Sequence, residues 1–503
     1  MRKPMLSLLL LSLAAWATAQ DITLSVANKA NNKGYQPTMI LVDKADAEGR
    51  FYSVEPDVNA FSKLKGVLVR EVDRDYAEIR RIEVPGAKGS SIYHVQRDGS
   101  TMHILLCNDE KRHYSMRHVA VDLPSFSIVA DSMLVDAETS KKQYFLHWSS
   151  LSLSGDYFGY VYAFVDEKAD RADLQAMLYD RGMRLQWSRP LPLTALSQVL
   201  ATDDGRLATA GAFNGESKGE GALVEFSITT ASGTQSGSYP SVSRLGEVTL
   251  LGVFGDRVLA TALETKRGTG WAGSFTAGSV ITIGNVYTGI ASYLFDVAGG
   301  VMAGTDRHAF SKADTRVFYN ASLVSEIASP EVNFLQARAK LATPGGGAVL
   351  LGRAWREKVM NTKTANSSNV YYYKGMMLFN IDSTGRIAWV RPIMHDNGTN
   401  ADFGENTETD MVSSGDDIIV LTNESASDPD TYDPDNAARR TLLKVHGAIS
   451  AYRFSADGQV TKNKLKTDGT NLICTPLRRQ ADGTYLFITR STRGRIAELR
   501  LGR

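Results

Sequence analysis

Two segments of this chain have nearly the same text: MLYDRGMRLQWSRPLPL (residues 177–193) and MLFNIDSTGRIAWVRPI (residues 377–393). Each runs from an apolar stretch through a polar turn holding Gly182 or Gly385, into a second stretch carrying Trp187 or Trp389, and then Arg-Pro. Alternation around a Gly-containing turn is the mark of a β-hairpin. A second pair repeats as well: LATDDGRLATAG (200–211) and LATPGGGAVLLG (341–352) read as strand, turn, strand. The two hairpin kinds alternate along the chain, so the repeating unit has four strands, a to d, built from an a–b hairpin and a c–d hairpin.

Period two dominates elsewhere too, and even ADRADLQAMLYD (169–180) reads better as loop plus strand than as helix. Turn signals recur at Asp98-Gly99, Ser154-Gly155-Asp156, Asp203-Asp204-Gly205, Gly255-Asp256, Pro344-Gly345-Gly346, Ser414-Gly415-Asp416 and Asp482-Gly483. On this reading a–b hairpins begin near Thr38, Ser91, Tyr144, Leu196, Gly246, Phe334, Asp410 and Leu472. Repeats of about 40–50 residues with four strands point to a β-propeller. The fold expected is therefore all-β, a propeller of about eight four-stranded blades, or seven if one unit is degenerate. The last unit supplies three strands, and ITLSVAN from Ile22 is a spare one, so pairing of the N- and C-terminal strands would close the ring. A packed pair of β-sandwiches or an open β array is the alternative.

The first residues read as a secretory signal. Arg2 and Lys3 precede the apolar run MLSLLLLSLAAW (5–16), which ends in Ala17-Thr18-Ala19. That run is too short to span a bilayer. Residues 1–19 are expected to be a signal peptide and 20–503 a single propeller domain, exported to the periplasm or beyond the cell. Loss of Arg2 and Lys3 moves the formal charge from +1 to about −1, with charges interspersed, which gives no electrostatic case for nucleic acid. The chain is likewise expected not to span a membrane.

The units LATPGGGAVLLGRAW, YYYKGMMLFNIDSTGRIAWVRPI and AYRFSADGQVTKNKL resemble those of exported Gram-negative β-propeller-like proteins of unknown function. The resemblance covers the C-terminal two-thirds and rests on structural motifs. It implies a propeller and export, and carries no catalytic residue across. Signatures of WD40, kelch and sialidase blades are absent from the sequence.

In a propeller the a–b and c–d turns lie on one side, and the b–c and d–a connections on the other. Here the second set is the long one, and long loops on a rigid scaffold are where function concentrates. Candidate binding residues there are Trp271, Trp355, Tyr371, Tyr372 and Tyr373, whose rings could stack on a sugar or peptide, with Asp402 and Glu405. Asp428, Asp430, Asp433 and Asp435 could offer oxygen ligands to Ca²⁺, although the spacing is not that of an EF-hand. Solvated loop acids and strand-end aromatics are the plainer reading of the same residues. No cofactor other than Ca²⁺ is suggested, and no catalytic constellation stands out. GESKG around Ser217 matches a nucleophile-elbow pattern but sits in a polar loop. His94 and His103 are expected to face each other across the hairpin at Asp98-Gly99, with Cys107 on the same face, a partial zinc-ligand set. Cys107 and Cys474 fall in the second and eighth units and are expected to be unbridged.

The function expected is an exported, non-catalytic propeller binding a protein, peptide or glycan through its loop-rich side. A glycan-cleaving or other propeller hydrolase, with acidic residues over the channel, and a structural component of a cell-envelope assembly are the alternatives.

Overall fold

The computed structural model describes residues 22–26, 40–44, 49–58, 64–73, 77–110, 112–140, 143–166, 171–193, 196–214, 221–266, 286–318, 329–333, 335–343, 345–359, 369–400, 409–425, 432, 441–442, 447–465, 472–473, 477–480, 483–490 and 494–501. These residues form eight sheets, antiparallel throughout except where Thr441–Leu442 joins one of them in parallel. Sheet one runs Ile40–Lys44, Phe51–Val58, Leu64–Val72, Glu78–Val84. Sheet two is Ser91–Asp98, Thr101–Glu110, His113–Asp122, Ser127–Glu138; sheet three is Gln143–Leu151, Tyr157–Asp166, Arg171–Asp180, Leu185–Leu191. Sheet four is Gln198–Ala201, Leu207–Asn214, Ala222–Thr229, Thr234–Ser241; sheet five is Arg244–Phe254, Arg257–Thr265, Val286–Asp296, Val301–Ala309. Sheet six is Leu335–Ala342, Ala348–Val359, Asn369–Ile381, Ile387–Asn400; sheet seven is Thr409–Ser414, Asp417–Ser425, Gly447–Phe454, Val460–Leu465. Sheet eight takes Leu472–Ile473 and Arg478–Arg479 as an interrupted first strand, then Tyr485–Arg490 and Gly494–Leu501. Its fourth strand is Ile22–Val26, antiparallel to Gly494–Leu501 with Leu24 opposite Leu499.

Sheets one to seven are each a meander of strands a to d in chain order, and sheet eight has the same arrangement with Ile22–Val26 as strand d, the blade pattern of a β-propeller. Every first strand among those described begins within two residues of the position expected from the sequence. The repeated text resolves accordingly. Residues 177–193 and 377–393 are the c–d hairpins of sheets three and six, and 200–211 and 341–352 are the a–b hairpins of sheets four and six. ADRADLQAMLYD contributes strand c of sheet three, as expected.

The apolar core is a set of layers between consecutive sheets. Val54, Val69, Ile104 and Val119 pack between sheets one and two, and Phe226 with Phe295 between four and five. Leu259, Leu350 and Phe379 fill the space between five and six, and Leu421, Ile449, Phe487 and Leu499 that between seven and eight. A strand covered on both faces needs no polar alternation, which is why strand b of sheet four, LATAGAFN, is buried over six consecutive residues. Outer strands have one wet face and do alternate, as Val301–Ala309 does.

Polar links repeat in the same order, and they explain the repeated text. Trp187 Nε1 on strand d of sheet three donates to the Gly205 carbonyl in the a–b turn of sheet four. Trp389 Nε1 on strand d of sheet six donates to the Ala456 carbonyl of sheet seven at 3.0 Å, and its ring stacks on Phe454. Two residues on, Arg189 and Arg391 donate to carbonyls of the next sheet's c–d turn, Ala231 and Gly458. Arg80, on strand d of sheet one, does the same at Leu123 and Pro124 of sheet two. Pro190 and Pro392 follow without penalty because strand d lies at a sheet edge, where a missing N–H breaks no ladder. Gly458 is part of this lock: its φ is +78° and a Cβ there would lie 3.0 Å from the Trp389 ring. Sheet five reaches sheet six through Ser292 Oγ to Gly385 O and Ile387 N to Asp306 Oδ2. Sheet eight reaches sheet one through Lys44, which bonds Gln480, Thr484 and Glu498.

Among the described residues, helix is confined to one short turn, Lys312–Thr315 capped by Ser311, followed by the 3₁₀ turn Arg316–Phe318. No helix among the described residues is long and apolar enough to cross a membrane.

Candidate functional site

Sheet six departs from its neighbours on the side of the b–c connections. Its strands b, c and d are 12, 13 and 14 residues long. They bulge between Arg353 and Trp355 and again between Lys374 and Met376, then continue as a second ladder. In that extension Trp355 is paired with Tyr373, Arg356 with Tyr372 and Glu357 with Tyr371. Across strand c, Tyr373, Tyr372 and Tyr371 pair with Asn397, Gly398 and Thr399. Thr441–Leu442, which lies within the long b–c connection of sheet seven, adds in parallel to Asn397 and Gly398.

Four of the candidate binding residues, Trp355, Tyr371, Tyr372 and Tyr373, are therefore brought together by strand register. The long connections expected on this side are shorter than their sequence suggests. Strand b instead runs to Val359, strand c starts at Asn369 and strand d continues to Asn400. Trp271, Asp402, Glu405, Asp428, Asp430, Asp433 and Asp435 lie outside the described residues, as do Ser217, Cys474 and the signal segment.

One residue of the acidic connection was missed. Tyr432 donates from its hydroxyl to the Pro392 carbonyl at 3.0 Å and meets Tyr452 edge-on. An aromatic between Asp430 and Asp433 was the available signal: a lone ring in an acidic stretch needs an apolar seat, and Tyr432 finds it between sheets six and seven.

The histidine expectation on sheet two is corrected. Asp98 pairs with Thr101, so Gly99 and Ser100 form the two-residue turn, with Gly99 at φ +55°. The register is set two residues away from that expected: Gln96 faces His103, and His94 faces Leu105. His94 stacks on Phe158 of sheet three. His103 instead bonds His118 on strand c, Nδ1 to Nε2 at 2.9 Å, both rings buried and stacked. One ring must donate and the other accept, so the two rings cannot both be protonated. Burial, and then the neighbouring His103, push His118 down to about 4; burial also lowers His103, against the pull of Asp98 and Asp180. No group of three or more metal-ligating side chains occurs among the described residues.

A further polar group lies along the first strands of sheets two and three. The Tyr93 hydroxyl donates to Ser149 Oγ at 2.8 Å and lies 3.1 Å from His147 Nδ1. Behind it, Tyr160 donates to the buried Tyr114 hydroxyl, and burial raises the pKa of both phenols.

On the side of the short turns, a shallow cavity of about 390 Å³ lies between sheets five and six, lined by Phe254, Asp256, Arg257, Leu294, Asp296 and Ser383 among others. Its acids serve the turns: Asp256 pairs with Arg206 at 3.0 Å and Asp296 accepts from Gly299 N at 3.2 Å.

No protein-family model and no curated protein sequence matches the chain. Among solved structures, Sqt1 from Chaetomium thermophilum aligns over 96% of this chain and 100% of its own, at 10% identity and a TM-score of 0.38. The β-propeller domain of the Trilobed protease from Pyrococcus furiosus aligns over 87% and 98%, at 10% identity and 0.33. The acylaminoacyl peptidase of Pyrococcus horikoshii aligns over 82% of this chain at 11% identity and a TM-score of 0.33, and the chain spans only about half, 52%, of that enzyme. Likenesses this weak carry no argument about activity.

Proposed function

We propose that this chain is an exported eight-bladed β-propeller, its ring closed where Ile22–Val26 joins Gly494–Leu501, that binds a protein, peptide or glycan on the side of its b–c connections without catalysing a reaction. The observation that carries the reading is the extension of sheet six. Strands of 12 to 14 residues reach past the sheet and take up a further strand from beside the acidic connection of sheet seven. A propeller blade needs no such extension to pack its neighbours, whereas a binding platform gains a rigid support for its aromatic residues. The near-neutral charge favours a neutral or mixed partner over a polyanion.

The test is binding of the exported chain to glycan and peptide arrays, comparing Trp271→Ala and Tyr372→Ala with the turn-side variant Asp256→Ala. The reading expects at least a tenfold loss for the first two and none for the third. Unchanged binding in both aromatic variants, or loss confined to the turn-side variant, contradicts it.

A further inference from the structure

The first strands of sheets four, five and six meet at three residues. Leu250 of sheet five donates its backbone N–H to Gln198 Oε1 of sheet four at 2.9 Å. The Leu250 carbonyl accepts from Lys340 Nζ of sheet six at 2.7 Å, and the same Nζ lies 3.5 Å from Gln198 Oε1. Leu250 sits where the ladder slips, between Leu250 and Gly252, on a strand whose other edge has no strand partner among the described residues. Side chains from both neighbouring sheets thus satisfy one residue's edge groups.

That structural duty leaves a particular remainder. With its oxygen committed to the Leu250 N–H, the Gln198 amide is held in one orientation, and among the described residues its Nε2 donors meet no acceptor. An ammonium has three N–H donors and no acceptor. Two are aimed at Leu250 O and Gln198 Oε1, so one is left. The cluster therefore offers donors only, with one positive charge, and among the described residues no carboxylate pairs with Lys340. Lys340 is open to solvent although it stands among the walls of three sheets. Burial among those walls pushes its ammonium down to about 8.

We propose that Lys340 and Gln198 form an oxyanion-binding site that takes a carboxylate or phosphate group of a solute. This site is separate from the sheet-six extension, and its failure would leave the proposed function untouched.

The experiment follows the Lys340 side-chain carbon beside Nζ by NMR in the full chain labelled with ¹³C-lysine, the signal being assigned by its loss in Lys340→Arg. Inorganic phosphate and acetate are titrated separately against chloride at matched ionic strength. A saturable shift with phosphate, acetate or both, accompanied by a rise in the Lys340 titration midpoint, is the expected result, and the responding anion identifies the source. Gln198→Glu is the decisive variant. It keeps an acceptor for Leu250 N–H, so the fold is retained, but it removes the amide donors and places a carboxylate beside Nζ. At least a tenfold weakening of anion binding is expected there. A Lys340 signal that moves no more in phosphate or acetate than in chloride overturns the proposal, as does undiminished binding in folded Gln198→Glu.

Discussion

Replacing Trp389 should loosen sheet seven rather than the molecule as a whole. The indole is 8% exposed. It stacks on Phe454 with ring centres 6.0 Å apart, donates to Ala456 O at 3.0 Å and carries Arg391 over its face at 5.8 Å. Truncation of a buried Trp to Ala loses about 3–5 kcal/mol. Trp389→Phe keeps the stacking and loses one hydrogen bond, about 1 kcal/mol, plus about as much again in lost contacts. Arg391→Met removes the bond to Gly458 and the cation–π contact, about 1–2 kcal/mol for a half-buried side chain. Both residues grip one turn, so the double variant should lose less than the sum. Hydrogen exchange read by mass spectrometry reports the opening of that layer directly. At about 1.4 kcal/mol per factor of ten, Trp389→Ala should speed exchange in Gly447–Phe454 and Val460–Leu465 by roughly a hundredfold or more. The reasoning is refuted if those strands exchange within threefold of the unaltered chain, or no faster than in Leu153→Ala, a site 86% exposed.

Acid should weaken the fold through the His103–His118 pair. An unfolded histidine takes its proton near pH 6.5, whereas burial holds folded His118 to about 4, so this stability is complete above pH 6.5 and declines as pH falls toward 4. The loss is about 1.4 kcal/mol per pH unit across that window, and urea titrations at pH 7 and 4.5 should show a smaller difference in His118→Gln. Gly385→Ala should destabilise more than Gly483→Ala. Both positions have φ near +80°, but a Cβ at 385 would lie 2.9 Å from the Leu294 Cβ and one at 483 meets nothing; equal urea midpoints would contradict the close-packed turn. Lys462→Met should destabilise by about 3 kcal/mol, since breaking a buried pair strands its partner. Lys462 lies 2.6 Å from Glu424 with both side chains under 10% exposed, and the double variant with Glu424→Leu should recover much of the loss in thermal unfolding.

Most of the architecture was legible because it is local. Asp-Gly and Gly-Asp turns fix where each hairpin reverses, and alternation fixes the strands on either side, so the positions of Ser91, Tyr144, Asp410 and Leu472 followed directly. What escaped was non-local. Trp187 and Trp389 stood out by repetition, yet their purpose depends on carbonyls of the next sheet, at Gly205 and Ala456. The His94 and His103 pairing failed on a turn placed too early by one residue, a slip that shifts every cross-strand partner. His118 lay a whole strand away from the histidine it bonds. Lys340 was one charged residue among many until three first strands were set side by side. In the candidate binding region, residue type singled out Trp355 and Tyr371 to Tyr373, but only the register of the lengthened strands shows that they share one ladder.

Closure of the ring through Ile22–Val26 is the claim on which the rest stands, and a paired-cysteine experiment tests it most directly. Thr23 is the register partner of Arg500, and cross-strand partners have Cβ atoms about 4.5–5.5 Å apart, within reach of a disulfide after small adjustment. In a chain with Cys107 and Cys474 replaced by Ala, Thr23→Cys with Arg500→Cys should oxidise to an intramolecular bond that peptide mapping assigns to 23 and 500. It should also raise the unfolding temperature. Recovery of two unlinked thiols, or of cross-linked dimers only, would contradict the closed ring.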